Sequence, residues 1–113
     1  IIPYSLKEVK EHGHEIACHS FSHRLLNRLP TDEVRNDLVR AKKVLCDITG
    51  EEPLGFRAPR FMVDRRVLKV VEELGFFYDS SIVPSWFPGR YRYLSAPRKP
   101  FSMLPHYDVI PFR

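Results

Sequence analysis

Between Gly13 and His23 the chain reads Gly-His-Glu-Ile-Ala-Cys-His-Ser-Phe-Ser-His. Imidazoles at positions 19 and 23 are suited to Zn²⁺ and other late divalent metals. If the backbone coils into a helical turn after His19, side chains four apart stack on one face and both rings can reach one ion. Ser20 and Ser22 then supply hydroxyls that orient the rings or cap the turn. The same spacing also occurs between unrelated surface histidines, so the pair alone decides little. Its position says more. It directly follows the short apolar run Ile16-Ala17-Cys18, which reads as a strand, and α/β enzymes place their chemistry just beyond strand ends.

A catalytic zinc takes three protein ligands and a water. His12 and His14 precede the strand and fall at its other end. Cys18 is the immediate neighbour of His19 and so points to the opposite face, where it reads as a small buried hydrophobe. The third ligand must come from elsewhere.

The elements around the histidines repeat one pattern: amphipathic helix, glycine, short apolar strand, polar residues. Ser5 is placed to cap a first helix carrying Leu6, Val9 and Lys10, with Gly13 as its stop. The strand Glu15 to His19 follows. Thr31 is expected to cap a second helix with Val34, Leu38, Ala41, Leu45 and Ile48 at three-four spacing, favoured by Asp32 and Glu33 at its start and ended by Gly50. Leu54 to Arg57 reads as a second strand running into Ala58-Pro59. Asp64 caps a third helix with Val67, Leu68, Val71 and Leu74 on one face, closed by Gly75, and Phe76 to Asp79 is the next strand. Arg60, Arg65 and Arg66 read as solvated charges.

Alternating helices and strands imply an α/β fold, a parallel sheet with helices outside. Right-handed crossovers then bring all strand C-terminal ends to one rim. His19 and His23, Arg57-Ala58-Pro59-Arg60 and Asp79-Ser80-Ser81 should meet there although they are far apart in sequence.

Beyond Ile82 the pattern breaks. Trp86-Phe87-Pro88-Gly89-Arg90-Tyr91-Arg92-Tyr93 is aromatic and basic and reads as a long irregular loop. Its rings could stack on sugar faces or bases, or simply pack the loop onto its own domain. Of 113 residues, 43% are hydrophobic, enough for one core but not two. The formal charge of +4 contains no run of like charges and gives little support for nucleic acid. Two cysteines make no disulfide framework, and free thiols in a reducing compartment are the default. No apolar run is long enough to span a membrane, and no signal peptide is visible. A cytoplasmic location is therefore the favoured expectation. Ile1 at the start and a strand-like Val109 to Arg113 at the end suggest a fragment of a larger domain.

Three motifs together resemble the NodB-type polysaccharide deacetylases, carbohydrate esterase family four. They are His19-Ser20-Phe21-Ser22-His23 with its lead-in Gly13-His14-Glu15, then Arg57-Ala58-Pro59-Arg60-Phe61, then Tyr78-Asp79-Ser80-Ser81. The Arg-Ala-Pro and Asp-Ser-Ser variants look most like a branch with peptidoglycan-type deacetylases and allantoinase-like relatives. The likeness runs from about Glu11 to Pro84.

The resemblance implies part of a distorted (β/α) barrel with parallel strands and outer helices, residues 1–113 forming a partial NodB homology domain without its N- and C-terminal strands. It implies a divalent metal, zinc foremost, on His19 and His23. It implies an oxyanion held by the backbone N–H of Arg60, a catalytic base oriented by Arg57, and an acid histidine polarised by Asp79. Pro59, Trp86 and Tyr91 are the candidate substrate contacts, and an N-acetylated polysaccharide or oligosaccharide is the expected partner, with no nucleic acid and no membrane span. Two features of the family's pattern are missing. No paired aspartates precede His19, and the acid histidine has no clear counterpart, because Pro105 beside His106 disfavours a central strand. Two rival functions remain: hydrolysis of a C–N bond in a non-sugar amide or ureide, and a non-catalytic glycan-binding module.

Overall fold

The computed structural model describes residues 3–82 and 110–111. Helix α1 spans Pro3–Glu11, α2 Thr31–Thr49 and α3 Arg65–Glu73. Strand β1 is Gly55–Phe56, β2 is Tyr78–Asp79 and β3 is Ile110–Pro111. Short 3₁₀ turns lie at Leu26–Arg28 and Pro59–Phe61.

The sheet order is β1-β2-β3. β1 and β2 are parallel, with Gly55 opposite Tyr78 and Phe56 opposite Asp79. The expected strand before His19 is reduced to one parallel bridge from Cys18 to Phe56, in which Cys18 N–H donates to the Gly55 carbonyl and Arg57 N–H to the Cys18 carbonyl. The chain is thus α/β with parallel strands and helices packed on them. The all-parallel expectation fails at β3, which runs antiparallel to β2.

Two helix starts differ from expectation. Ser5 lies inside α1, which begins at Pro3; a proline's fixed φ and missing N–H suit a first helical turn. Thr31 is the first residue of α2 and Pro30 its cap, without a side-chain bond. The Thr31 hydroxyl instead accepts from Arg66, whose guanidinium also donates to the Leu29 carbonyl at 2.6 Å. Arg66 therefore ties α3 to the approach of α2 and is not simply solvated. Asp64 caps α3 as expected, its Oδ1 accepting from Val67 N–H at 2.8 Å.

The apolar stripes meet beneath the sheet. Val34, Leu38 and Ala41 of α2 and Val67, Val70 and Val71 of α3 are buried with Cys18, Phe56 and Phe76. Each fully buried Val, Leu or Phe side chain contributes about 1.5–3 kcal/mol. Along the strands Cys18, Phe56 and Asp79 are fully buried, while their exposed or partly buried neighbours Ala17, His19, Arg57 and Tyr78 open onto a cavity. Strand periodicity thus assigns the chemical residues to one face.

Candidate active site

The cavity measures about 460 Å³ and is lined by Ala17, Cys18, His19, Phe56, Arg57, Tyr78 and Ser80. His19 stands at its rim. His19 Nδ1 lies 2.7 Å from the Arg57 carbonyl oxygen. A carbonyl can only accept, so Nδ1 carries the proton and a neutral ring keeps its lone pair on Nε2. A backbone carbonyl on one ring nitrogen is the usual way a ligating histidine is oriented. The His23 ring lies edge-on to His19, with centroids 5.0 Å apart.

The turn that brings the rings together is not helical. Ser20 and His23 adopt left-handed backbone at φ 63° and 57°, a conformation that costs non-glycine residues energy and needs support. Support comes from two sides. Ser20 Oγ accepts from His23 N–H at 2.9 Å. The Asp37 carboxylate, from the buried face of α2, accepts from Phe21 N–H at 2.9 Å and Ser22 N–H at 3.1 Å. The Arg40 guanidinium covers the Phe21 ring, 4.0 Å from its centroid.

Arg57 reaches across to the next strand end. Its Nε donates to the Ser80 carbonyl at 3.1 Å and to Ser80 Oγ at 2.8 Å. Ala58 N–H donates to Ser81 Oγ at 2.8 Å. The Ser81 hydroxyl in turn donates to Asp79 Oδ1, and Ser81 N–H to Asp79 Oδ2. Burial pushes the Asp79 carboxyl above the ordinary carboxylate range, opposed by the bonds from Ser81 and Ile82 and by the Arg57 charge. Arg60 sits in left-handed backbone at φ 56° in the turn after Pro59, and its N–H takes no hydrogen-bond partner among the described residues.

His19, Arg57 and Ser80 thus line one cavity, the His23 ring packs against His19, and Ser81 holds the Ala58 backbone next to Arg57. Four candidates are not among the cavity-lining residues: His23, Arg60, Asp79, which is fully buried and bonded to its own turn, and Pro59, whose ring is also fully buried. Trp86, Tyr91 and His106 fall outside the described residues. Among the described residues no third His, Cys, Asp or Glu joins the histidine pair as a metal group. Sequence reasoning missed Asp37 and the roles of the two serines. Asp37 left a signal, as a carboxylate beside Val34, Leu38 and Ala41 on an otherwise apolar helix face. The serines left none, because their partners come from another strand.

A family model described as polysaccharide deacetylase matches residues 2–78. The peptidoglycan deacetylase-like protein FGM2 of Gibberella zeae is 31% identical over 80 residues, covering 71% of this chain and 24% of that protein. The peptidoglycan-N-acetylglucosamine deacetylase of Bacillus cereus is 31% identical over 84 residues, covering 74% of this chain and 38% of the relative. The chain spans well under half the length of these curated relatives. Among solved structures, the Bc1960 peptidoglycan N-acetylglucosamine deacetylase superposes with a TM-score of 0.64 at 29% identity, over 66% of this chain and 35% of that one.

Proposed function

Because the chain belongs to the polysaccharide deacetylase family, we propose that it forms part of a metal-dependent hydrolase that removes N-acetyl groups from an N-acetylated polysaccharide or oligosaccharide. The observation that carries this is the His19 ring, fixed by the Arg57 carbonyl beside His23 at the mouth of an open cavity. The described strands would belong to a distorted (β/α) barrel, with the cavity on its inner side.

The donor set fits a divalent metal, zinc foremost. His19 offers Nε2 by its tautomer, His23 faces it, and imidazole is a borderline ligand that zinc accepts. His19 and His23 would hold the ion, with a further ligand and the general base contributed from beyond the described residues. When bound, the metal would supply a Lewis acid for the amide carbonyl and lower the pKa of a coordinated water.

The remaining work falls to this chain's own groups. Arg57, anchored through Nε on Ser80, keeps its charge beside the cavity and would orient the carboxylate base. The Arg60 N–H, without an internal partner among the described residues, would donate to the oxygen on which negative charge develops, where one such donor is worth about 10²–10³ in rate. Asp79 would act as a positioning group, holding Ser81 and through it the Ala58 backbone.

The test is acetate release by the full chain, supplied with Zn²⁺, from N-acetylglucosamine oligomers and from peptidoglycan, with allantoin as the ureide control. Acetate release that His19→Ala abolishes is the expected result. Turnover of allantoin alone, or acetate release indifferent to His19→Ala, would overturn the assignment.

A further inference from the structure

Asp37 lies on neither a strand end nor the cavity wall. It sits on α2, only 6% exposed, between positions that face the core. A buried carboxylate there costs several kcal/mol unless its oxygens are satisfied. Both are satisfied by one short stretch of backbone. Oδ2 accepts from Phe21 N–H and Oδ1 from Ser22 N–H, two residues that lie between the histidines.

That placement has a mechanical consequence. With Ser20 and His23 both at positive φ, the five-residue turn has no helical hydrogen-bond ladder to define it. Two groups hold its interior backbone in place: Ser20 Oγ, which belongs to the turn itself, and Asp37, which belongs to the rigid core. The Arg40 guanidinium, one helical turn along from Asp37, lies over Phe21 and covers the same segment from outside. His19 is fixed separately by the Arg57 carbonyl. His23 has no such tie to its ring among the described residues, so its position relative to His19 depends on the backbone of Phe21 and Ser22.

We propose that Asp37 is a positioning residue of the metal site: it clamps the Phe21-Ser22 backbone from α2 and so sets the separation of the His19 and His23 rings. This rests on the assignment of His19 and His23 as metal ligands. Charge-assisted bonds from backbone N–H to carboxylate are shorter and about twice as strong as neutral ones, so a side-chain amide at this position cannot replace them. It would present one acceptor and one donor to two donors.

The experiment uses the full chain with Co²⁺ as a spectroscopic probe. Wild type should bind Co²⁺ with a visible d–d spectrum that His19→Ala and His23→Ala each remove. Asp37→Asn should weaken Co²⁺ binding by about 10- to 100-fold, the usual effect of losing an outer partner of a ligand, and change the spectrum of the loaded protein. Leu38→Ala, which damages the same helix without touching the turn, should lower the melting temperature but leave affinity and spectrum unchanged. Should Asp37→Asn fail to fold, amide exchange in metal-free wild type decides: Phe21 and Ser22 N–H should be protected like core amides, not like loop amides. Histidine variants that bind Co²⁺ as wild type does would overturn the ligand assignment. Histidine dependence together with an Asp37→Asn affinity within twofold of wild type, or unprotected Phe21 and Ser22 amides, would overturn the clamp alone.

Discussion

The Nδ1 of His19 and the carbonyl oxygen of Arg57, 38 residues apart in sequence, are joined by a 2.7 Å hydrogen bond. That bond selects the ring tautomer, and it depends on Cys18 and Arg57 being locked by the parallel bridge between the first strand segment and β1. In mildly alkaline buffer, ¹⁵N chemical shifts should therefore show His19 as the Nδ1–H tautomer before any metal is added. A His19 ring protonated on Nε2 would contradict it.

The Tyr78 ring lies so close to Gly55 that a Cβ at position 55 would come 2.0 Å from Cζ, 2.2 Å from the hydroxyl oxygen and 2.4 Å from Cε2. Gly55→Ala should destabilise the chain by about 1–3 kcal/mol through overpacking, measured by urea denaturation. Tyr78→Phe should not relieve this, because the clash involves ring carbon as well as the hydroxyl. Tyr78→Ala should make the Gly55→Ala change nearly neutral, giving a large coupling in the double-mutant cycle.

Tyr78 also donates its hydroxyl proton to Glu15 Oε1 at 2.5 Å. Burial first, then this bond and the Glu15 charge, push the phenol from 10.0 up to about 12. The folded state holds the proton more tightly than the unfolded chain, so the associated stability is intact below the unfolded value and lost as pH rises through the folded one. Denaturation midpoints should fall between pH 10 and about 12, and Tyr78→Phe should remove this component of the decline.

Ser81 Oγ accepts from Ala58 N–H and donates to Asp79 in a fully buried setting. Ser81→Ala leaves the buried Ala58 N–H without its acceptor and removes one of the donors to Asp79, and should cost about 1–3 kcal/mol. Loss of Asp64, which caps α3 with a single bond to Val67, should cost only ~1 kcal/mol. Thermal melts of Ser81→Ala and Asp64→Ala side by side check the order.

The two cysteines should separate by reactivity. Burial pushes the Cys18 thiol up to about 11, and the side chain is 1% exposed, whereas Cys46 is only partly buried. Iodoacetamide should alkylate Cys46 in the native protein and reach Cys18 only on unfolding.

The sequence by itself determined the alternation of helices and strands, the Asp64 cap, the glycine stops and the identity of the groups on the rim. Those depend on local periodicity and on backbone preferences that a residue carries wherever it sits. It also placed Cys18 and His19 on opposite faces, because strand geometry alternates without reference to any partner. The turn after His19 was not legible in this way. Helical spacing suggested a coil, but Asp37 captures the Phe21 and Ser22 N–H groups and holds left-handed backbone at Ser20 and His23 instead. Likewise Asp79 looked like a group facing the reaction, while the fold buries it and gives Ser80 and Ser81 the task of tying Arg57 and Ala58. Such choices belong to tertiary structure because a buried carboxylate or hydroxyl takes whichever donors packing brings within reach, and those donors lie well away along the chain.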